Sequence, residues 1–110
     1  YQVDNYTKYT IMGNSNYNGF EYTVPGDFSS CAFPLMAALI AGNTGSIVKL
    51  NNLDFNDCQG DKKLVYTLQD MGAEIIINSS KKTLTIKNYN NTNNKIKKLN
   101  GQIINVNNYI

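Results

Sequence analysis

The residues best suited to chemistry in this chain read Gly-Asp-Phe-Ser-Ser and occupy positions 26–30. They place a carboxylate and two hydroxyl groups directly before an apolar stretch that ends at Ala41. A helix start offers free N–H groups and positive potential, so this pattern could face an anionic substrate. The same side chains are preferred helix caps, and the carboxylate of Asp27 would repel an anion. On the residues alone, capping is the favoured interpretation.

Two further acidic groupings have simple structural explanations. The segment Gln59-Gly60-Asp61 predicts a second helix capped by Asp61. Asp54 and Asp57 flank two loop residues and could form a paired-carboxylate acid/base site. Because no partner base accompanies them, a solvated loop is the favoured interpretation.

Lysines and tyrosines suggest an alternative function, binding of single-stranded RNA on a small sheet. The chain has eight tyrosines, and its lysines could line a sheet edge: Lys81, Lys82, Lys87, Lys95, Lys97 and Lys98. The two residue types do not interleave, however, and lysines commonly protect exposed sheet edges. We therefore expect no nucleic-acid partner.

The bulk composition describes one domain, or a piece of a larger one, with few options for catalysis. The 110 residues carry a net charge of +2 and contain no Arg, which excludes bidentate guanidinium recognition. They contain no His and only two Cys, which excludes a zinc site. Cys31 and Cys58 are expected to be free thiols, with Cys31 in the core. No apolar run is long enough to cross a bilayer, and we expect a cytoplasmic monomer without membrane contact.

The N-terminal part is predicted to form a hairpin followed by a buried helix. Residues 6–12 and 20–24 alternate as strands do. The helix is apolar on almost every side, which predicts burial all round. Pro34 favours a start near Ser29 or Ser30, and Gly42 should end the helix.

The remainder alternates between strands and a helix. Strands are predicted at 46–50, 73–77, 83–87 and 102–106, and a helix at 62–71, ended by Gly72, whose buried face comprises Leu64, Val65, Leu68 and Met71. Counted from residue 20, this order predicts an α/β (α+β) fold with two helices on a mixed sheet.

Two stretches resemble the enolpyruvyl transferase family, most closely the branch that acts on shikimate 3-phosphate. They are YTVPGDFSSCAFPLMAALIAGNTGSIVKL (22–50) and QGDKKLVYTLQDMGAEIII (59–77). The order and spacing of Gly-Asp-x-Ser-Ser, Gln-Gly-Asp and Met-Gly-Ala carry the resemblance, since each motif alone is weak. Cys31 stands where the family commonly has Ala, and Pro34 interrupts a helix that is usually free of proline.

The resemblance implies an enzyme of two domains, each built from βαβαββ units. Such enzymes transfer the enolpyruvyl group of phosphoenolpyruvate to the 5-hydroxyl of shikimate 3-phosphate, in the shikimate pathway of aromatic amino acid biosynthesis. The reaction passes through a tetrahedral intermediate, releases phosphate and uses no metal or cofactor.

The resemblance also implies that this chain is a fragment. Residues 1–24 would end the N-terminal domain, and residues 25–110 would form one unit of the C-terminal domain. No catalytic residue of the family can be assigned here, because the chain ends at Ile110, before the expected catalytic acid. We expect scaffold and hinge functions only, with Gly26, Asp27, Ser29 and Ser30 at the hinge or the edge of the substrate cleft.

Overall fold

The computed structural model describes residues 2–3, 6–7, 12–14, 16–42, 45–88 and 98–105. Its helices are α1 (Phe28–Ala41) and α2 (Lys63–Asp70), and a 3₁₀ turn at Gly60–Lys62 leads into α2. Its strands are β1 (Gln2–Val3), β2 (Tyr6–Thr7), β3 (Ile47–Asn51), β4 (Glu74–Asn78) and β5 (Thr83–Lys87). The α/β fold class predicted from the sequence is confirmed.

Three strands form an antiparallel sheet with β5 in the centre, between β3 and β4. A turn at 79–82 joins β4 to β5. The chain passes from β3 to β4 through α2, and both strands run in the same direction because both are antiparallel to β5. The unit is therefore a split β-α-β arrangement preceded by α1. Strands β1 and β2 pair with each other.

The core lies between one face of this sheet and the two helices. Because side chains alternate along a strand, each strand sends every second residue toward the helices. Two apolar rows cross the sheet, Val48–Ile86–Ile75 and Leu50–Leu84–Ile77. The helices cover these rows with Phe28, Cys31, Leu35, Ala38, Val65 and Leu68. The apolar face predicted for α2 is confirmed.

Helix α1 is covered on one side within this chain. The side chain of Leu35 is 1% exposed, whereas those of Phe33 and Ile40 are 80% and 66% exposed. The prediction of burial all round is therefore wrong for this chain, because the sheet and α2 reach one face of α1.

Helix α1 begins at Phe28, with Asp27 as its N-cap, so the predicted start near Ser29 or Ser30 is wrong. Pro34 consequently lies inside the helix and cannot donate an N–H to the carbonyl of Ser30. We infer that the cap at Asp27 and the complete burial of Phe28 outweigh that single missing bond.

The C-terminus of α1 is closed by a residue that is distant in sequence. The helix ends at Ala41, as predicted, and Gly42 follows in an extended conformation. The amide of Asn88, which is buried, donates to the carbonyl oxygens of Ala38 and Gly42 at 3.3 and 2.8 Å. A side chain on Gly42 would collide with the Ala38 carbonyl oxygen and with the Asn88 amide.

The predicted strand over 20–24 is wrong. Residues 16–24 are irregular and exposed, and the alternating pattern there finds no neighbouring strand. Strand β2, at the start of the predicted strand 6–12, pairs with β1 instead; residues 8–11 lie outside the described part. The prediction of a mixed sheet included a strand at 20–24. Without that strand the sheet consists of β3, β4 and β5 and is antiparallel, so the prediction of a mixed sheet is wrong.

Two smaller predictions also need correction. Asp61 does not cap α2: it lies inside the 3₁₀ turn, and α2 starts at Lys63 without a side-chain cap. Residues 102–105 are irregular rather than a strand, and position 106 lies outside the described residues. Gly72 follows the end of α2 with a left-handed φ of 98°, as expected for a helix stop.

Candidate functional site

Asp27 caps α1 through several hydrogen bonds at once. Its carboxylate accepts from the backbone N–H groups of Ser29 and Ser30 at 3.3 and 2.9 Å. It also accepts from the two serine hydroxyl groups at 2.7 and 2.5 Å. These donors, led by the Ser30 hydroxyl, lower the pKa of Asp27 to about 2. The carboxylate is therefore ionised throughout the physiological pH range.

Every N–H group of the first turn of α1 already has a partner within the chain. Phe28 N–H donates to Oε1 of Gln59 at 2.8 Å, and Cys31 N–H donates to the Asp27 carbonyl at 3.0 Å. Asp27 occupies the N–H groups of Ser29 and Ser30. The N–H groups of residues 28–31 are therefore not free to bind a phosphate or carboxylate, and Asp27 caps the helix.

The segment before α1 is held against β3 by Asn52. The Asn52 side chain donates to the Val24 carbonyl at 2.9 Å, and its backbone carbonyl accepts from Gly26 N–H at 2.6 Å. Asn52 adopts a left-handed φ of 63°, which asparagine tolerates better than most residues. A Cβ on Gly26 would lie 3.0 Å from the Asn52 carbonyl oxygen, so this close approach favours glycine.

The loop 53–59, which contacts the start of α1 through Gln59, is fixed by an ion pair and several hydrogen bonds. Asp54 pairs with Lys82 at 2.7 Å, and that hydrogen bond lowers the pKa of Asp54 and raises the pKa of Lys82. Asp57 accepts from the N–H of Gln59 at 3.0 Å. Nζ of Lys62 donates to the carbonyl groups of Phe55, at 3.1 Å, and Asp57. Both acidic residues thus shape the loop, and no acid/base pair is formed.

A shallow depression of about 310 Å³ lies where the starts of the two helices meet. Phe28, Ser29 and Ala32 form one wall, and Asp61 and Leu64 form the other. Ser29 and Ser30 are both exposed. Because their hydroxyl protons point to Asp27, the atoms left for a ligand are hydrogen-bond acceptors.

Of the lysines predicted to line a sheet edge, Lys82 forms an ion pair with Asp54, and Lys95 and Lys97 lie outside the described part. Among the described residues, no group of three or more metal-ligating side chains occurs. No helix in that part of the chain is long and apolar enough to cross a membrane.

The two cysteines are free, as predicted, and differ in environment. Cys31 is buried in the core, and burial together with the negative charge of Asp27 raises the pKa of its thiol. Cys58 is exposed, directly before Gln59.

The sequence pattern singles out Asp27 and both serines but not Gln59 and Asn52, which bond the backbone on either side of Asp27. Gln59 appeared in the Gln-Gly-Asp motif, where Asp61 was expected to be the important residue. The joint occurrence of Gly-Asp-x-Ser-Ser and Gln-Gly-Asp could have indicated the role of Gln59. A side chain that bonds one helix start to another requires both segments to be present.

The chain was compared with known proteins. The sequence profile described as EPSP synthase (3-phosphoshikimate 1-carboxyvinyltransferase) matches residues 2–110. The chain belongs to the EPSP synthase family. It is 49% identical over 67 residues to the 3-phosphoshikimate 1-carboxyvinyltransferase of Chlamydia felis, which covers 61% of this chain and 15% of that relative.

Two archaeal members of the EPSP synthase family are similar over longer stretches. The chain is 47% identical over 72 residues to the 3-phosphoshikimate 1-carboxyvinyltransferase of Methanosarcina acetivorans, covering 66% of this chain and 16% of that one. It is 41% identical over 83 residues to the Methanocella arvoryzae protein of the same name, covering 76% and 19%. The chain thus spans less than a fifth of the length of these relatives. No solved structure matches it.

Proposed function

We propose that this chain is one α/β unit of an enzyme that transfers the enolpyruvyl group of phosphoenolpyruvate to the 5-hydroxyl of shikimate 3-phosphate. The family match over residues 2–110 carries this proposal. The unit would begin at residue 25, after the end of a preceding domain at 1–24. The full-length enzyme would be a cytoplasmic monomer that needs no cofactor.

The unit contributes scaffold and a cleft edge, and it is inactive alone. Gly26, Asp27, Ser29 and Ser30 would border the substrate cleft. Asn52 and Gln59 form hydrogen bonds with the backbone of Val24, Gly26 and Phe28. These bonds fix the segment to the unit, which supports a cleft edge more than a hinge.

The chemistry of this edge favours one part of the substrate. The cluster presents a carboxylate and hydroxyl lone pairs, while its backbone donors are occupied. Such a surface accepts hydrogen bonds from the hydroxyl groups of shikimate 3-phosphate. Phosphate groups would be bound by cationic residues elsewhere in the full-length enzyme.

Phosphate release tests the proposal. The full-length protein that contains this chain should release phosphate from phosphoenolpyruvate only when shikimate 3-phosphate is present, and the 110-residue chain should release none. Turnover by the chain alone would contradict the scaffold role. A full-length protein inactive with this substrate pair would contradict the assigned reaction.

A further inference from the structure

Gln59 holds the start of α1 with both ends of its side-chain amide. Its Oε1 accepts from Phe28 N–H at 2.8 Å, and its Nε2 donates to the Gly26 carbonyl at 3.3 Å. These two backbone groups flank Asp27, so one planar amide fixes the peptide units on both sides of that carboxylate. A side chain needs a donor and an acceptor at once to make this pair of bonds, which an amide supplies and a carboxylate does not.

Gln59 is itself held in position by its neighbours. Its backbone N–H donates to the Asp57 carboxylate at 3.0 Å, and Nζ of Lys62 bonds the Asp57 carbonyl. The Phe55 ring in the same loop packs edge-on against the Phe28 ring, with centroids 5.0 Å apart. The loop therefore connects to α1 through an aromatic contact and an amide, and relative movement of the two would break both.

We propose that Gln59 is a positioning residue for the cluster formed by Asp27, Ser29 and Ser30. This inference rests on the function proposed above. Gln59 acts through the backbone of α1 and sets the orientation of the acceptors that meet the substrate. Without its amide, a half-buried N–H and a half-buried carbonyl lose their partners, and the first turn of α1 shifts to find new ones. Because the cluster contacts bound substrate and not the reacting atoms, the loss falls on KM rather than on kcat.

The test uses the full-length enzyme that contains this chain, with Gln59→Ala and the equally sized Gln59→Glu. For each variant we expect the KM for shikimate 3-phosphate to rise by about tenfold, while kcat stays within about twofold of the unmodified enzyme. Hydrogen exchange at the Phe28 amide should accelerate in Gln59→Ala and stay slower in Gln59→Glu, which retains the acceptor oxygen. Gln59→Glu also provides a folded variant should Gln59→Ala unfold.

Gln69→Ala is the matched control. Gln69 is also half-buried, and its Nε2 donates to a backbone carbonyl, that of Ile75, at 2.7 Å. Its loss should lower stability and leave the KM unchanged. The inference is overturned if Gln59→Ala and Gln69→Ala raise the KM equally, or if exchange at Phe28 accelerates while the KM stays the same. An inactive unmodified enzyme would instead overturn the proposed function, which separates the two failures.

Discussion

At the scale of single residues, the site depends on a carboxylate that gathers donors from its own helix. Asp27 receives two N–H and two O–H groups from Ser29 and Ser30, which explains its low pKa. Hydrogen bonds to an ionised group favour that ionised form. The helix dipole acts in the same direction, because the carboxylate lies at the positive end of α1.

Asp27 should make stability depend on pH under acidic conditions. Its pKa falls from 3.8 to about 2 on folding, so its contribution is complete above about pH 4 and is lost as the pH falls toward 2. We expect Asp27→Ala to lower the free energy of unfolding at pH 7. Asp27→Asn should lower it less, because asparagine is also a good N-cap. Urea denaturation of each protein between pH 2 and pH 7 measures this. A difference between the native chain and Asp27→Asn that stays constant down to pH 2 would contradict the assignment.

A larger residue at position 26 should destabilise the chain. In Gly26→Ala the new methyl group would lie 3.0 Å from the Asn52 carbonyl oxygen and 3.2 Å from a methyl carbon of Leu53. Overpacking of this kind costs about 1–3 kcal/mol of unfolding free energy. Gly101→Ala is the control, since a Cβ there meets nothing within 4 Å. Equal stabilities of the two variants in urea denaturation would show that the close approach is not constrained.

At the scale of elements, both ends of α1 are closed by side chains from remote parts of the chain. Gln59 closes the start, and Asn88, immediately after β5, closes the end. The helix is thereby fixed in rotation and along its axis relative to the sheet. This explains how α1 keeps its place although one of its apolar faces is exposed.

Asn88→Ala should destabilise the chain by about 1–3 kcal/mol, because the substitution leaves buried carbonyl groups without their donor. Asn88→Asp should lower the free energy of unfolding further, because a carboxylate oxygen would then face the carbonyl oxygens of Ala38 and Gly42. Asn56→Ala is a suitable control because its side chain is exposed. Thermal or urea denaturation measures these changes. If Asn88→Ala and Asn56→Ala prove equally stable, the amide does not cap the helix.

The sequence predicts the helices and strands better than it predicts the long-range hydrogen bonds that fix their ends. Strands β3, β4 and β5 follow from short runs rich in β-branched residues, and α2 follows from its single apolar face. Alternation alone is insufficient at 20–24, where the described residues offer no partner strand. The start of α1 is predicted too late because Pro34 disfavours an earlier start, whereas the burial of Phe28, which favours one, depends on tertiary packing. The side chains of Gln59, Asn52 and Asn88 form hydrogen bonds with residues at least 28 positions away, which local patterns cannot reveal.

At the scale of the molecule, the unit has two different outer faces. The sheet face carries Lys49 and Thr85 in its central row, and the outer face of α1 is apolar. The exposed side of α1 carries Phe33, Ala37 and Ile40, one or two turns apart on the same surface. Exposed apolar surface of this kind is a typical contact area between parts of a larger protein. The small share of its relatives that this chain spans is consistent with such a contact.

Phe33 and Leu35 should therefore respond differently to substitution. In the 110-residue chain, Phe33→Ser should change the free energy of unfolding by no more than about 0.5 kcal/mol, because the ring is 80% exposed. Leu35→Ala should cost about 2–5 kcal/mol. In the full-length enzyme we expect Phe33→Ser to become costly as well. Urea denaturation of both proteins compares the effects, and a Phe33→Ser cost that is the same in both would argue against a covered helix face.

The two thiols differ in exposure, so the loop that contains Cys58 can be labelled selectively in the 110-residue chain without any substitution. Cys58 is accessible and adjoins Gln59, while Cys31 is enclosed and its raised pKa keeps it protonated. A maleimide dye at neutral pH should consequently attach to Cys58 alone, since the thiolate is the reactive form. Fluorescence from that dye would then report, in real time, whether the loop beside α1 shifts when substrates arrive.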